Sequence, residues 1–281
     1  MDKRILNRIT VINNSFQKKE NKEEIREQLK LRNPKDVYKL IYNYTKIDPT
    51  KRNFDLTLVW QEYLVRTFLD NINLDDIVPS ERGTNGRDLF LKKRIGVEDV
   101  KIPEKLQCRE LISVETCLGK LKDFQVPLNA DDNDNGAGEL DIVAQNDREM
   151  TIIEYKTPIS DEPLLRAVLE IITYFHQING RHPENSGYLK SFNDIFDLDC
   201  NSIGTAIVLP LAAYRIGHKK AFELINEYHI KCYCFESDTD YTKIRAIPDT
   251  ELKDLKEEAL KNGAEYYKCS DEIVKAINIL G

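Results

Sequence analysis

Gly138-Glu139-Leu140-Asp141-Ile142-Val143-Ala144 and, after the polar run Gln145 to Glu149, Met150-Thr151-Ile152-Ile153-Glu154-Tyr155-Lys156-Thr157-Pro158 are the stretches from which the fold is read. Both have the make-up of strands. The first is short and aliphatic behind a Gly-containing acidic loop, the second is β-branched and stopped by a proline, and the polar run between them suits a hairpin. Strand side chains alternate between faces, so Ile152, Glu154 and Lys156 share one face while Ile153 and Tyr155 take the other. Folding the hairpin about its polar turn brings the Asp141 carboxylate to the sheet edge where Glu154 lies. Two carboxylates and one lysine then converge.

Hard divalent cations such as Mg²⁺ or Mn²⁺ take a few carboxylate oxygens and keep several waters, which leaves room for phosphate oxygens of a substrate. Asp141 and Glu154 suit that role as metal ligands. Lys156 beside them is expected to orient or deprotonate an attacking water, or to stabilise charge developing on phosphorus. The expected chemistry is phosphodiester hydrolysis. The same residue types also make a solvated strand face with a weak ion pair, and the aliphatic framing of both runs favours the site.

Asp141, a gap of about one hairpin and then Glu154-Tyr155-Lys156 resemble the signature of the PD-(D/E)XK nuclease superfamily, in its hydrophobic framing as well as its polar residues. The resemblance covers roughly residues 103–236. It implies an α/β protein with a restriction-endonuclease-like mixed central sheet flanked by helices, acting as a Mg²⁺- or Mn²⁺-dependent nuclease on DNA, with RNA left open. Many members use a further Glu on the helix before the first strand as a metal ligand. Glu115 is the expected residue, beside Leu111, Ile112 and Leu118 on the core side of a helix, with Glu110 and Glu62 as rivals. RecB-like members carry Gln-x-x-x-Tyr on the helix after Glu-x-Lys; here it reads Glu170-Ile171-Ile172-Thr173-Tyr174, so the tyrosine matches and the glutamine does not. Glu170 is then either an extra carboxylate of the metal shell or the polar edge of the helix.

Working outward, residues 1–54 read as a polar helical appendage, 55–240 as the nuclease-like domain and 241–281 as a helical segment packed on the core. Asp55 suits the N-cap of a helix over 56–69, and Lys92-Lys93-Arg94 is a basic cluster equally suited to phosphate or to solvent. The spacing of Leu106, Leu111, Val114, Leu118 and Leu121 predicts one helical face, although Ile112-Ser113-Val114-Glu115-Thr116 also suits a strand leading to a Gly119-Lys120 turn, and a strand follows over 124–128. After the hairpin the sequence predicts a helix over 164–175, a loop-rich flap over 179–201, a strand over 204–210, a helix over 218–228 and a strand over 231–236. That order implies parallel strands at this end of the sheet.

The chain has 281 residues, 41% hydrophobic and 32% charged, enough for a sizeable core. No apolar run spans a bilayer and Met1-Asp2-Lys3-Arg4 lacks a signal-peptide core, so an intracellular, cytoplasmic location without membrane contact is expected. The six cysteines have no zinc spacing and are expected to be reduced and buried. A net charge of −7 weighs only weakly against DNA, because phosphate contact depends on local patches. One candidate site per chain makes a homodimer a possible way to cut both strands of a duplex. The competing expectation is a catalytically silent nuclease-fold protein that binds nucleic acid or assembles with a partner.

Overall fold

The computed structural model describes residues 61, 65, 74, 103–128, 139–160 and 162–268. The expectations for residues 1–54, for Glu62, for Lys92-Lys93-Arg94 and for the last part of the 241–281 segment, beyond residue 268, lie outside them. Of the helix expected over 56–69, Gln61 and Val65 are described, both helical and buried.

The described elements run α1 (Pro103–Leu111), β1 (Lys120–Pro127), β2 (Glu139–Asn146), β3 (Glu149–Tyr155), α2 (Leu164–Gln177), α3 (Gly187–Phe196), β4 (Ser202–Leu209), α4 (Leu211–Arg215), α5 (Lys219–Glu227), β5 (Lys231–Phe235), β6 (Ile244–Ala246) and α6 (Asp249–Lys268). The strands form one six-stranded sheet in the order β1-β2-β3-β4-β5-β6. β1, β2 and β3 are antiparallel, β3, β4 and β5 are parallel, and β6 returns antiparallel beside β5. The sheet is therefore mixed, flanked by helices, and the molecule is α/β.

The β2–β3 hairpin closes as its sequence requires, with Asn146 opposite Glu149 and Asp147 in the left-handed region at φ +50°. Parallel neighbours cannot be joined by a tight turn, so β3 reaches β4 through α2 and α3, and β4 reaches β5 through α4 and α5. Strand alternation sorts the core. Ile152 joins a large apolar cluster with Val168, Ile171 and Ile172 of α2, while Ile153 and Tyr155 join a smaller one with Leu111, Leu118 and Phe235.

Two expectations are corrected. The long helix over 106–121 ends at Leu111, and its apolar spacing is shared between a helix, a turn containing Gly119 at φ +97° and the start of β1. Leu118 and Leu121 still bury, but from a turn and a strand. The flap expected over 179–201 contains α3, whose first turn is capped by the Ser186 hydroxyl accepting from the Leu189 N–H at 3.2 Å. Tyr188, Leu189 and Phe192 supply its buried face. Near the end of the described residues β6 completes the sheet, and α6 packs against α4 and α5 with Leu255 and Ala259 buried.

Candidate active site

The open end of the β2–β3 hairpin gathers several buried charged residues. Glu154 and Lys156 lie at the end of β3, where the Lys156 N–H donates to the Val208 carbonyl of β4 at 2.9 Å and holds that segment in the sheet. Both face α2, as the two-residue period of a strand demands. Lys156 Nζ stands 2.5 Å from Glu154 Oε1, 3.7 Å from Glu170 Oε2 on α2 and 3.8 Å from Glu104 Oε2 on α1.

Asp141 enters from β2. One of its oxygens accepts the Tyr155 backbone N–H at 3.0 Å and the other accepts Gln125 Nε2 of β1 at 2.9 Å. On α2, Arg166 bonds Glu170 Oε1 at 3.1 Å through Nη2 and also pairs with Glu162. Arg166 thus holds the far side of Glu170 while Lys156 holds the near side. Tyr155 on the opposite face donates its hydroxyl to Gln107 Oε1 of α1 at 2.7 Å and meets Phe235 edge-on, which fixes α1, and with it Glu104, against the sheet.

Carboxylates buried this close together resist ionisation. Burial, then repulsion from Asp141, lifts Glu104 to about 7 against the pull of Lys156. Burial and Asp141 hold Glu154 well above the ordinary range, and burial raises Asp141 against Lys156 and the Tyr155 N–H. Glu170 differs: burial would raise it, but Arg166 and Lys156 together hold it low. Burial would likewise lower Lys156, yet Glu154, Glu170 and Asp141 override it and keep the ammonium charged.

Four of the residues expected from sequence are thus brought together: Asp141, Glu154, Lys156 and Glu170. Glu115 is not among them. It sits exposed in the turn after α1 and on no helix, because the helix that was to carry it ends at Leu111. Glu110 is exposed and accepts the Tyr241 hydroxyl. The upstream carboxylate that does approach Lys156 is Glu104, in the first turn of α1. Its sequence signal was the helix start at Pro103-Glu104, hidden by the apolar spacing that extended the helix too far. Arg166 was also missed, although Glu162, Arg166 and Glu170 stand four residues apart, the spacing of helical ion pairs. Tyr174, one turn beyond Glu170, is buried in the large apolar cluster.

Among the described residues no three His, Cys, Asp or Glu side chains enclose a common point in the manner of a bound metal; Glu154 is folded onto the Lys156 ammonium instead. The oxygens on offer are nonetheless those of crowded carboxylates, the donors that hard divalent cations take. Among the described residues no helix is long and apolar enough to cross a membrane. No family model matches the chain, and neither a curated protein nor a solved structure is significantly similar to it.

Proposed function

We propose that this chain is a divalent-cation-dependent nuclease of the PD-(D/E)XK kind, hydrolysing phosphodiester bonds in DNA at the open end of the β2–β3 hairpin. The observation that carries the reading is the convergence of Asp141, Glu154, Glu170 and Glu104 around the single ammonium of Lys156. A helix, an antiparallel three-strand meander and a helix crossing to a parallel strand support the restriction-endonuclease-like arrangement that the Asp141, Glu154 and Lys156 motif implies.

Asp141 and Glu154 would hold the cation, with Glu104 within reach of its waters. Burial and mutual repulsion disfavour their ionised forms in the protein alone, so a Mg²⁺ or Mn²⁺ ion answers a charge imbalance already built into the fold. When bound, such an ion polarises a phosphoryl oxygen and acidifies water. Lys156 remains an ammonium, so its part is to donate hydrogen bonds to the attacking water or the developing phosphorane oxygens rather than to remove a proton. Glu170, locked by Arg166, steadies that ammonium from the helix side.

The test is incubation of the purified chain with plasmid, linear duplex, single-stranded DNA and RNA, with and without Mg²⁺ or Mn²⁺. Cleavage that needs the cation and vanishes in Glu154→Ala and Lys156→Ala, both still folded, is the expected result. Shifted but uncut nucleic acid would transfer the assignment to a binding protein, and cleavage by the Lys156→Ala variant would remove this site from the reaction.

A further inference from the structure

β1 is the edge strand next to the site, and its alternation breaks twice, at a bulge between Leu121 and Asp123 and again at Gln125. Phe124 and Val126 should share a face, yet Phe124 belongs to the smaller apolar cluster and Val126 to the larger. Their partners on β2 do the same: Ile142, opposite Phe124, lies in the smaller cluster, and Leu140, opposite Val126, lies in the larger. Between these two pairs stand Gln125 and Asp141. Gln125 has φ +49°, the left-handed region that non-glycine residues rarely enter, and it is there that the strand turns over.

Glycine would supply this turn without the conformational cost. Glutamine adds an amide, and the amide is used: Nε2 donates to Asp141 Oδ1 at 2.9 Å. In its ionised, cation-binding form Asp141 only accepts, which matches an amide with its nitrogen toward Asp141 and its oxygen away from it. That oxygen, Gln125 Oε1, is buried and has no partner among the described residues. Buried carbonyl oxygens are normally satisfied, so an orphaned one beside a candidate cation ligand calls for a donor that binds there.

We infer that Gln125 is the positioning residue of the site, directing the Asp141 carboxylate through Nε2 and presenting Oε1 as the acceptor for a water of the bound cation's hydration shell. The inference rests on the nuclease reading for its cation and goes beyond it in assigning a residue that the Asp141, Glu154 and Lys156 motif does not include. Groups that orient ligating carboxylates typically govern metal affinity by about 10- to 100-fold.

The experiment measures Mn²⁺ binding by calorimetry, together with thermal melting, for the full chain and for Gln125→Gly and Gln125→Asn. Glycine relieves the left-handed backbone, and asparagine tolerates it with an amide one methylene too short to span to Asp141. Both variants are expected to melt at or above the wild-type temperature without metal and to bind Mn²⁺ about 10-fold more weakly or worse. Their plasmid cleavage should recover when Mn²⁺ is raised by the same factor, a rescue that a merely structural defect would not allow. Undiminished Mn²⁺ affinity in either folded variant overturns the inference and leaves the nuclease reading intact. A wild-type chain that binds Mn²⁺ but cuts nothing overturns the nuclease reading and leaves Gln125 to be judged on affinity alone. A wild-type chain that binds no Mn²⁺ overturns both.

Discussion

At its turn end the β2–β3 hairpin carries polar groups that answer one another. Asn146 Nδ2 donates to Thr151 Oγ1 at 2.9 Å and to the Leu118 carbonyl at 3.1 Å, the Thr151 hydroxyl donates to Glu149 Oε1 at 2.9 Å, and Lys231 completes the chain on Glu149 at 2.7 Å. At the open end of the same hairpin, four carboxylates (Glu104, Asp141, Glu154 and Glu170) surround Lys156, and Arg166 bonds Glu170. Both ends pair Glu with Lys on a strand, yet only one is balanced. A network whose donors and acceptors match rigidifies a fold. One with a surplus of buried like charge costs stability until something cationic arrives, and such perturbed groups mark candidate functional sites.

The largest effect that would break this contrast is expected at Lys156. Lys156→Ala leaves buried carboxylates without their ammonium and should cost about 3–5 kcal/mol in urea unfolding at neutral pH, along with cleavage. A variant as stable as the wild type would mean that the open end is not charge-strained.

The pH dependence comes next. Glu104 sits near 7 in the folded chain against an ordinary value of 4.5, so the fold favours its protonated form. That stabilisation is complete below the unfolded value and is lost as pH rises from about 4.5 to about 7. After discounting for its partial exposure, roughly 2 kcal/mol should disappear across that window without metal. Glu104→Gln should flatten the curve, and saturating Mg²⁺ should offset the loss by mass action; a melting temperature that climbs through the same window contradicts the assignment.

Glu154→Gln sharpens the comparison in the opposite direction. Its environment favours the neutral carboxyl, so an uncharged isostere should raise metal-free stability at pH 8 by about 1 kcal/mol while cleavage disappears. The matching change at the turn end, Glu149→Gln, should lose about 0.5–1 kcal/mol, because Lys231 and Thr151 lose a charged acceptor, and leave cleavage unchanged. Parallel urea titrations and plasmid assays on the two variants read this opposition directly.

Much of this end of the molecule was legible because strands and short turns are local. The run from Gly138 to Pro158 carries its own alternation, its own turn at Asp147 and its own stop at Pro158, so the hairpin and the shared face of Glu154 and Lys156 needed no other part of the chain. The parallel pairing of β4 and β5 was legible for a related reason, since a strand, a helix and a strand in succession leave few ways to return. α3 was misread because the Asn, Asp and Gly residues of 179–201 suggested loop, whereas Ser186 as a cap and Tyr188, Leu189 and Phe192 on one face outweigh them once they can bury.

What the sequence by itself determined is the chemistry on offer: Asp141, Glu154 and Lys156 at one end of a hairpin, with Glu170 on the following helix. The tertiary structure decided which further residues join them. The spacing of Leu106, Leu111, Val114, Leu118 and Leu121 suits one long helix as well as a helix, a turn and a strand, and only burial of Leu118 and Leu121 against Ile142 and Ile153 separates the two. Ending the helix at Leu111 leaves Glu115 in solvent and sets Glu104 beside Lys156. Gln125 was beyond reach for the same physical reason: a left-handed residue inside a strand leaves no periodic trace, because the alternation it interrupts is defined by the two clusters on either side of the finished sheet.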